Sequence, residues 1–162
     1  MTPEVLERAA SGLHPKRMDD LLGVLVGIGA AQDPAVERAL GDDSETVRHL
    51  AALTLVYGGE SHGESKLLKA LESDERREVE AASSVLTELI CFGVIEEDQA
   101  FDVVRRFCQN IDPMVRRNAV RTLVLFEDTK PVREVLGNAL DDSDGGVVAA
   151  ARGVRETFER AG

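Results

Sequence analysis

The residues in this chain able to do chemistry are few and scattered. His14, His49 and His62 stand alone, with no His-x-x-x-His or Cys-x-x-Cys pair to hold a transition metal. Asp141-Asp142-Ser143-Asp144-Gly145 has the look of a calcium loop. An EF-hand register anchored on Gly145 puts Leu140 at the first ligand position and Ala151 at the closing glutamate, so the segment reads as a capping turn. Cys91 lies between Ile90 and Phe92, and Cys108 follows Phe107. Both are expected to be buried free thiols, a setting that raises a thiol pKa instead of activating it. Gly59-Glu60-Ser61-His62-Gly63 has Gly-x-Ser-x-Gly spacing, but no strand is predicted to lead into it as a nucleophile elbow requires. Gly23, Gly27 and Gly29 fall inside a helical pattern, where small size is expected to permit close packing, not to cradle phosphate. The sequence thus nominates no catalytic, cofactor or metal site and reads as a non-enzyme.

One pattern remains. Two residues before the apolar residues Leu40, Leu71 and Phe107 stand Arg38, Lys69 and Arg105, one cation per segment in register with those residues. Arg106, Lys66, Lys130 and Arg133 extend the series, and Asn138 breaks its register. The stripe could receive an acidic or phosphorylated peptide. Basic residues near helix C-termini also complement the helix dipole, and that simpler reading stays open.

The elements that carry these cations recur. Acidic turns at Asp42-Asp43, Asp74-Glu75, Asp112-Pro113 and Asp144-Gly145 each lead into a valine that opens an apolar helix. Val47, Val79, Val115 and Val147 are 32, 36 and 32 residues apart; the closing residues Leu40, Leu71, Phe107 and Leu140 are 31, 36 and 33 apart. A repeat of this length means stacked helical pairs. Helices are predicted over 4–10, 16–31, 34–40, 44–57, 64–71, 75–92, 96–109, 113–126, 130–140 and 146–160. Leu21, Leu22, Leu25, Val26 and Ile28 should give the second of these a broad apolar face. No segment alternates long enough to argue a strand.

Motifs at the turns point to a family. Asp112-Pro113-Met114-Val115-Arg116-Arg117-Asn118-Ala119, and Asp43 through Leu53, resemble the HEAT-like repeats of phycocyanobilin (PBS) lyases. The repeat at Asp74 departs with Glu80 where the others carry Arg48 and Arg116; that at Asp144 departs with Val148 and Gly145-Gly146. The resemblance implies an all-α superhelix, a right-handed HEAT-like solenoid of about five helical pairs. In one domain over 1–162, a cap at 3–11 precedes repeats at 15–41, 42–72, 73–109 and 110–140, and a second cap covers 144–161. It further implies that the second helices line the concave side, which would place the cationic stripe there. Arg48 and Arg116 are expected to act as clamps that reach turn carboxylates in their own or a neighbouring repeat. Di-iron deoxyhypusine hydroxylases share this repeat architecture but carry His-Glu pairs, which this chain lacks.

Bulk composition narrows the function. The 162 residues include 30 acidic and 19 basic ones for a formal charge of −11, with 43% hydrophobic and only 4% aromatic residues. The core must be aliphatic. An acidic chain with no Trp opposes nucleic acid, which demands a basic, stacking surface. No apolar run is long enough for a bilayer, and Met1-Thr2-Pro3-Glu4 does not open a signal peptide. A cytoplasmic, monomeric scaffold that binds another protein or peptide is expected, an adaptor in microbial signalling, motility or complex assembly. By resemblance, a bilin lyase or isomerase is the alternative; by charge, an acidic inhibitor of a basic enzyme.

Overall fold

A computed structural model of the chain describes residues 15–59 and 61–161. The predicted cap at 3–11, and His14, lie outside them. The described residues are helical, with no strand among them, in the order expected of helical pairs. By its internal contacts the chain divides into two compact units, one ending at Val85 and the other starting at Leu86.

The first unit contains α1 (Pro15–Gly27), α2 (Pro34–Arg38), α3 (Glu45–Tyr57), α4 (Ser61–Leu71) and α5 (Arg76–Ser83), with 3-10 turns at Ala30–Gln32 and Ala39–Gly41. Asp33 starts α2 by accepting from the Ala35 amide at 2.8 Å, and Pro34 follows at the first helical position, where its missing N–H is no loss. α3 is the centre: it packs against α1, α2, α4 and α5. Val47, Leu50, Ala51, Ala52 and Leu55 on it are fully buried. The alanines keep the helix thin enough for four neighbours. The leucines and valines each contribute roughly 1.5–3 kcal/mol by leaving water.

The second unit contains α6 (Leu86–Cys91), α7 (Glu97–Phe107), α8 (Pro113–Thr122), α9 (Lys130–Leu140) and α10 (Gly145–Ala161), with a 3-10 turn at Leu123–Leu125 after α8. Asp112 caps α8 through the Met114 amide at 2.8 Å, and Asp144 caps α10 through Gly146 and Val147 at 2.9 and 3.0 Å. α8 and α10 pack against each other, with Val115, Ala119, Val147 and Ala151 buried; α9 also packs on α10, and α7 on α8. Phe101 on α7 meets Phe126 edge-on at 5.5 Å, past the end of α8. The core is aliphatic, as the composition requires: every large side chain that is completely buried is Leu or Val.

Four sequence expectations are corrected. The helix predicted over 75–92 is broken between α5 and α6. Ser83 and Ser84 donate their hydroxyls to the Glu80 and Ala81 carbonyls at 2.9 and 2.7 Å, and the backbone tightens to a turn there. Serine hydroxyls compete with helical bonding in this way, and a periodicity count does not see it. Cys91 is exposed, because it stands in the last turn of α6 just before Gly93, whose left-handed φ of 71° ends the helix. Cys108 is half-buried, and burial pushes its thiol up to about 12. Ile28 is 67% exposed and Leu21, Leu22 and Val26 only half-buried; Leu25 alone of that face is buried. Val79 is half-buried, unlike Val47, Val115 and Val147.

The glycines expected to allow close packing do not. A Cβ placed on Gly23, Gly27 or Gly29 would meet nothing within 4 Å. Close approach occurs at Gly63 in α4, where a Cβ would come 2.4 Å from the Leu55 carbonyl oxygen of α3. The two backbones touch there, so nothing flexible can give way. Gly63→Ala is expected to destabilise the chain by about 1–3 kcal/mol, the usual cost of overpacking. Gly153→Ala, inside α10 with open space at its Cβ, should stabilise by about 0.5–1 kcal/mol through the reduced freedom of the unfolded chain. Urea denaturation of both variants checks the pair; equal midpoints would contradict the close contact.

Candidate functional site

Arg48 and Arg116 each occupy the position after the repeat valine, and they bond alike. Nη1 of Arg48 donates to the Asp42 and Asp43 carbonyls at 2.8 and 3.0 Å. Nη1 of Arg116 donates to the Asn110 and Ile111 carbonyls, both at 2.9 Å. One nitrogen thus ties down the turn that precedes its own helix. The remaining nitrogens reach into the following repeat. Arg48 Nη2 donates to Glu80 Oε2 at 2.7 Å; Arg116 Nε and Nη2 hold both oxygens of Asp142 at 2.8 Å. The first clamp lies within the first unit and the second within the second unit. The guanidinium beside Asp142 holds its carboxyl below the usual range, and the hydrogen bonds to Asp142 raise Arg116 in turn.

Glu80, the apparent departure from the repeat, is therefore the complement of the clamp. It is buried, accepts from Arg48, and takes Arg76 Nε at 2.8 Å on its other oxygen. Asp42, Asn110 and Asp142 are a second shared device missed in the sequence: each side chain accepts from the amide two residues on, at 2.8–2.9 Å. All three stand five residues before a repeat valine, a regularity visible to anyone counting back from Val47, Val115 and Val147.

A serine–histidine pair also escaped notice. His49 Nδ1 lies 2.8 Å from Ser84 Oγ, 35 residues away. The Ala81 carbonyl, which can only accept, takes the Ser84 proton at 2.7 Å. The serine is therefore the acceptor and His49 the donor. That polarity is the reverse of an activated nucleophile; the pair fastens α3 to the end of α5. Among the described residues, no three His, Cys, Asp or Glu side chains stand together in a way that could hold a metal ion. Asp142 and Asp144 of the acidic turn at 141–145 are spent on Arg116, the Asp144 amide and the α10 cap.

The seven cations of the predicted stripe divide into two kinds. Lys66 is tied to Glu37 at 2.7 Å and is mostly buried; Arg105 is held by Asp102 at 2.8 Å, Arg133 by Asp128 at 3.5 Å and Lys130 by Glu134 at 3.9 Å. Arg38, Lys69 and Arg106 are exposed and form no ion pair among the described residues, although Arg38 lies near enough to help hold the Asp33 carboxyl below the usual range; Arg106 rests over the Phe107 ring at 5.0 Å. Within the first unit, the Lys66–Glu37 bridge joins α4 to α2, the helices that carry Lys69 and Arg38. In the second unit, a groove of about 560 Å³ lies between α9 and α10, floored by Leu136, Leu140 and Phe158 and rimmed by Arg133 and Arg155.

Paired helices repeating every 32–36 residues, capped by aspartates and clamped by arginines, define a helical-repeat protein. The family model for HEAT repeats matches residues 65–154, more than half of the chain, and the chain belongs to that family. The match is to HEAT repeats at large, so the likeness to the bilin-lyase subset rests on the turns around Asp43 and Asp112 alone. No curated protein matches the chain.

The clamps make two predictions. Arg48→Ala removes the buried cation from Glu80, leaving it the exposed Arg76, and takes the donor from two part-buried turn carbonyls; it should cost about 3 kcal/mol. Arg116→Ala, in a less buried place, should cost about 2 kcal/mol. Urea midpoints equal to the parent's would remove the clamp. Asp142, with its folded pKa depressed, adds stability that is complete above the unfolded value of about 3.9 and is lost as pH falls through it toward the folded value. Asp142→Asn should thus be less stable at neutral pH yet lose less on acidification below about pH 4. Parallel acid-denaturation curves would contradict that assignment.

Proposed function

We propose that this chain is a non-enzymatic protein-interaction scaffold, and that α2 and α4 of the first unit contact its partner. One observation carries the reading. Arg38 and Lys69 stand at equivalent positions of successive second helices, exposed and in no ion pair among the described residues, on an otherwise acidic chain. Of the other five cations of the stripe, four are engaged by carboxylates and Arg106 lies over the Phe107 ring, which leaves these two for an acidic or phosphorylated segment. HEAT-repeat architecture supports the reading, because stacked helical pairs expose long helix faces suited to recognition. In this proposal the partner is another protein or peptide, the chain works as a cytoplasmic monomer, and no cofactor takes part. Adaptor roles in microbial signalling, motility or complex assembly fit such a module.

A second reading has one observation behind it: Glu96, Glu97 and Asp98 form an exposed acidic run at the start of α7, as an inhibitor of a basic enzyme would offer. The bilin-lyase alternative draws on the quoted turns and on no feature of a site.

The test is affinity capture with the full chain against Arg38→Glu/Lys69→Glu. A partner whose recovery drops about tenfold in the double variant is expected, while Arg105→Glu, already held by Asp102, should change recovery little. Recovery unaffected by the double reversal rejects the α2–α4 face. A captured basic protein that is lost instead on Glu96→Lys/Glu97→Lys would favour the inhibitor.

A further inference from the structure

The place that α4 fills in the first unit has an open counterpart in the second. Val47 and Val147, and Leu40 and Leu140, are each 100 residues apart. The same offset lays α2 on α9 and α3 on α10. In the first unit α4 packs on α3, and its Lys66 reaches Glu37 of α2. Val36, Leu40 and Leu55 of that layer are at most 3% exposed, and Gly63, Leu67, Ala70 and Leu71 of α4 are buried too. The chain gets from α3 to α4 through Gly58 and Gly59, the second with a left-handed φ of 66°. Phe158 and Glu159 stand at the equivalent positions of α10, which runs on without a turn to Ala161.

The groove of about 560 Å³ between α9 and α10 lies where α4 would lie. It is lined by Leu136, Leu140 and Arg155, the counterparts of Val36, Leu40 and Leu55, and by Phe158. Its floor is incompletely covered. Leu40, Leu71 and Phe107 close their helices at 3%, 7% and 4% exposure, whereas Leu140, the fourth of that series, is half-buried, as is Phe158. Gly137 widens the opening. It stands in the middle of α9, where glycine is an unfavourable residue, and a Cβ there would meet nothing within 4 Å. The rim is balanced: Arg133 faces Asp128 at 3.5 Å, and Arg155 faces Glu159 at 3.6 Å.

We propose that the α9–α10 groove is a docking site for an amphipathic helix of a partner protein, seated as α4 is seated in the first unit. The buried residues of α4 set the pattern of the occupant: a small residue, then apolar ones four, seven and eight positions on. Its leucines cover Leu140 and Phe158, and a small residue passes over Gly137. Charge complementarity narrows the choice. Each cation at the rim has a carboxylate beside it, so neither a polyacidic nor a polybasic helix gains there. A helix with both signs flanking its apolar stripe complements the groove, and apolar burial supplies the affinity. The site is separate from the Arg38–Lys69 face, stands without it, and gives the scaffold a second contact.

The probe is a fluorescein-labelled peptide of about 18 residues, long enough to hold a helix. It carries alanine and leucine in the α4 pattern on one face and alternating Glu and Lys on the other. It is titrated with the full chain by fluorescence anisotropy. A peptide of the same composition, its leucines spread around the helix, serves as the control and should bind at least about tenfold more weakly. The affinity should change less than about twofold as the screening length shrinks from about 30 Å to about 8 Å. Gly137→Leu fills the groove from within and should weaken binding at least about tenfold, while its thermal melt stays at or above the parent's. Phe158→Glu, near the end of α10, should weaken binding by a second route. Gly153→Leu makes the same change at an open α10 position outside the groove and should leave binding unaltered. No binding of the patterned peptide overturns the proposal. So does equal binding of the control peptide, equal weakening by Gly137→Leu and Gly153→Leu, a steep loss with salt, or self-association of the chain that Gly137→Leu abolishes. Loss of the Arg38–Lys69 partner has no bearing on any of these readings.

Discussion

The repeat depends on one interaction: in two of its first helices, α3 and α8, the arginine after the first valine serves two layers. Its Nη1 closes the preceding turn, and its other nitrogens bind a carboxylate supplied by the next repeat. Turn carbonyls at a helix start point away from the helical ladder and must find donors elsewhere. A lysine could supply charge but not the geometry, because its donors radiate from one atom. The planar guanidinium can face carbonyls on one edge and a carboxylate on the other. Where the receiving carboxylate sits is less constrained: Glu80 lies within a helix, Asp142 in a turn, and both meet the guanidinium at 2.7–2.8 Å. The donor's geometry is the fixed part of the device.

Helix packing follows from the same economy. With the polar work of each turn done by an aspartate and an arginine, the helices need only aliphatic side chains between them. Leu50, Leu55, Leu67 and Val36 fill the first unit and Leu86, Leu89, Val104 and Leu123 the second without a buried tryptophan or tyrosine. Small residues then fix how closely helices approach. Gly58 against Ala31 and Gly63 against the Leu55 carbonyl are two such places, and Gly63 stands next to His62. Close backbone approach and ligand binding both use glycine, and only coordinates separate the two.

Legibility followed the range of the interaction. Caps are local, so Asp33, Asp112 and Asp144 could be read from the residues beside them, as could the helix stop at Gly93. The register of Val47, Val115 and Val147 was legible because repetition amplifies a weak pattern. The helix break at Ser83–Ser84 was not, since each serine is tolerable in a helix and the choice of the hydroxyl to bond a carbonyl depends on packing. Ile28 and Cys91 were misplaced for a related reason: an apolar residue near a helix end lies on a core face or a solvent face according to which neighbour covers it. Periodicity picks out Arg38, Lys69 and Arg105 as a series, yet it could not show that Asp102 holds Arg105 or that Glu37 holds Lys66.

Charge count and charge availability are therefore different quantities in this molecule. A formal charge of −11 describes its long-range field and so its solubility and its encounters with large charged bodies. At contact distance the relevant question is which cations lack a carboxylate within reach. Exposed ion pairs are worth little individually, but each one offers an incoming anion a competitor that must be displaced. By that criterion Lys66 and Arg105 recede, while Arg38 and Lys69 come forward. Their side chains project from the same α2 and α4 that bury Ala35, Val36, Leu67 and Ala70. A helix locked by core residues on one face fixes where its outward cations begin, so an incoming anion has only the side chains left to order.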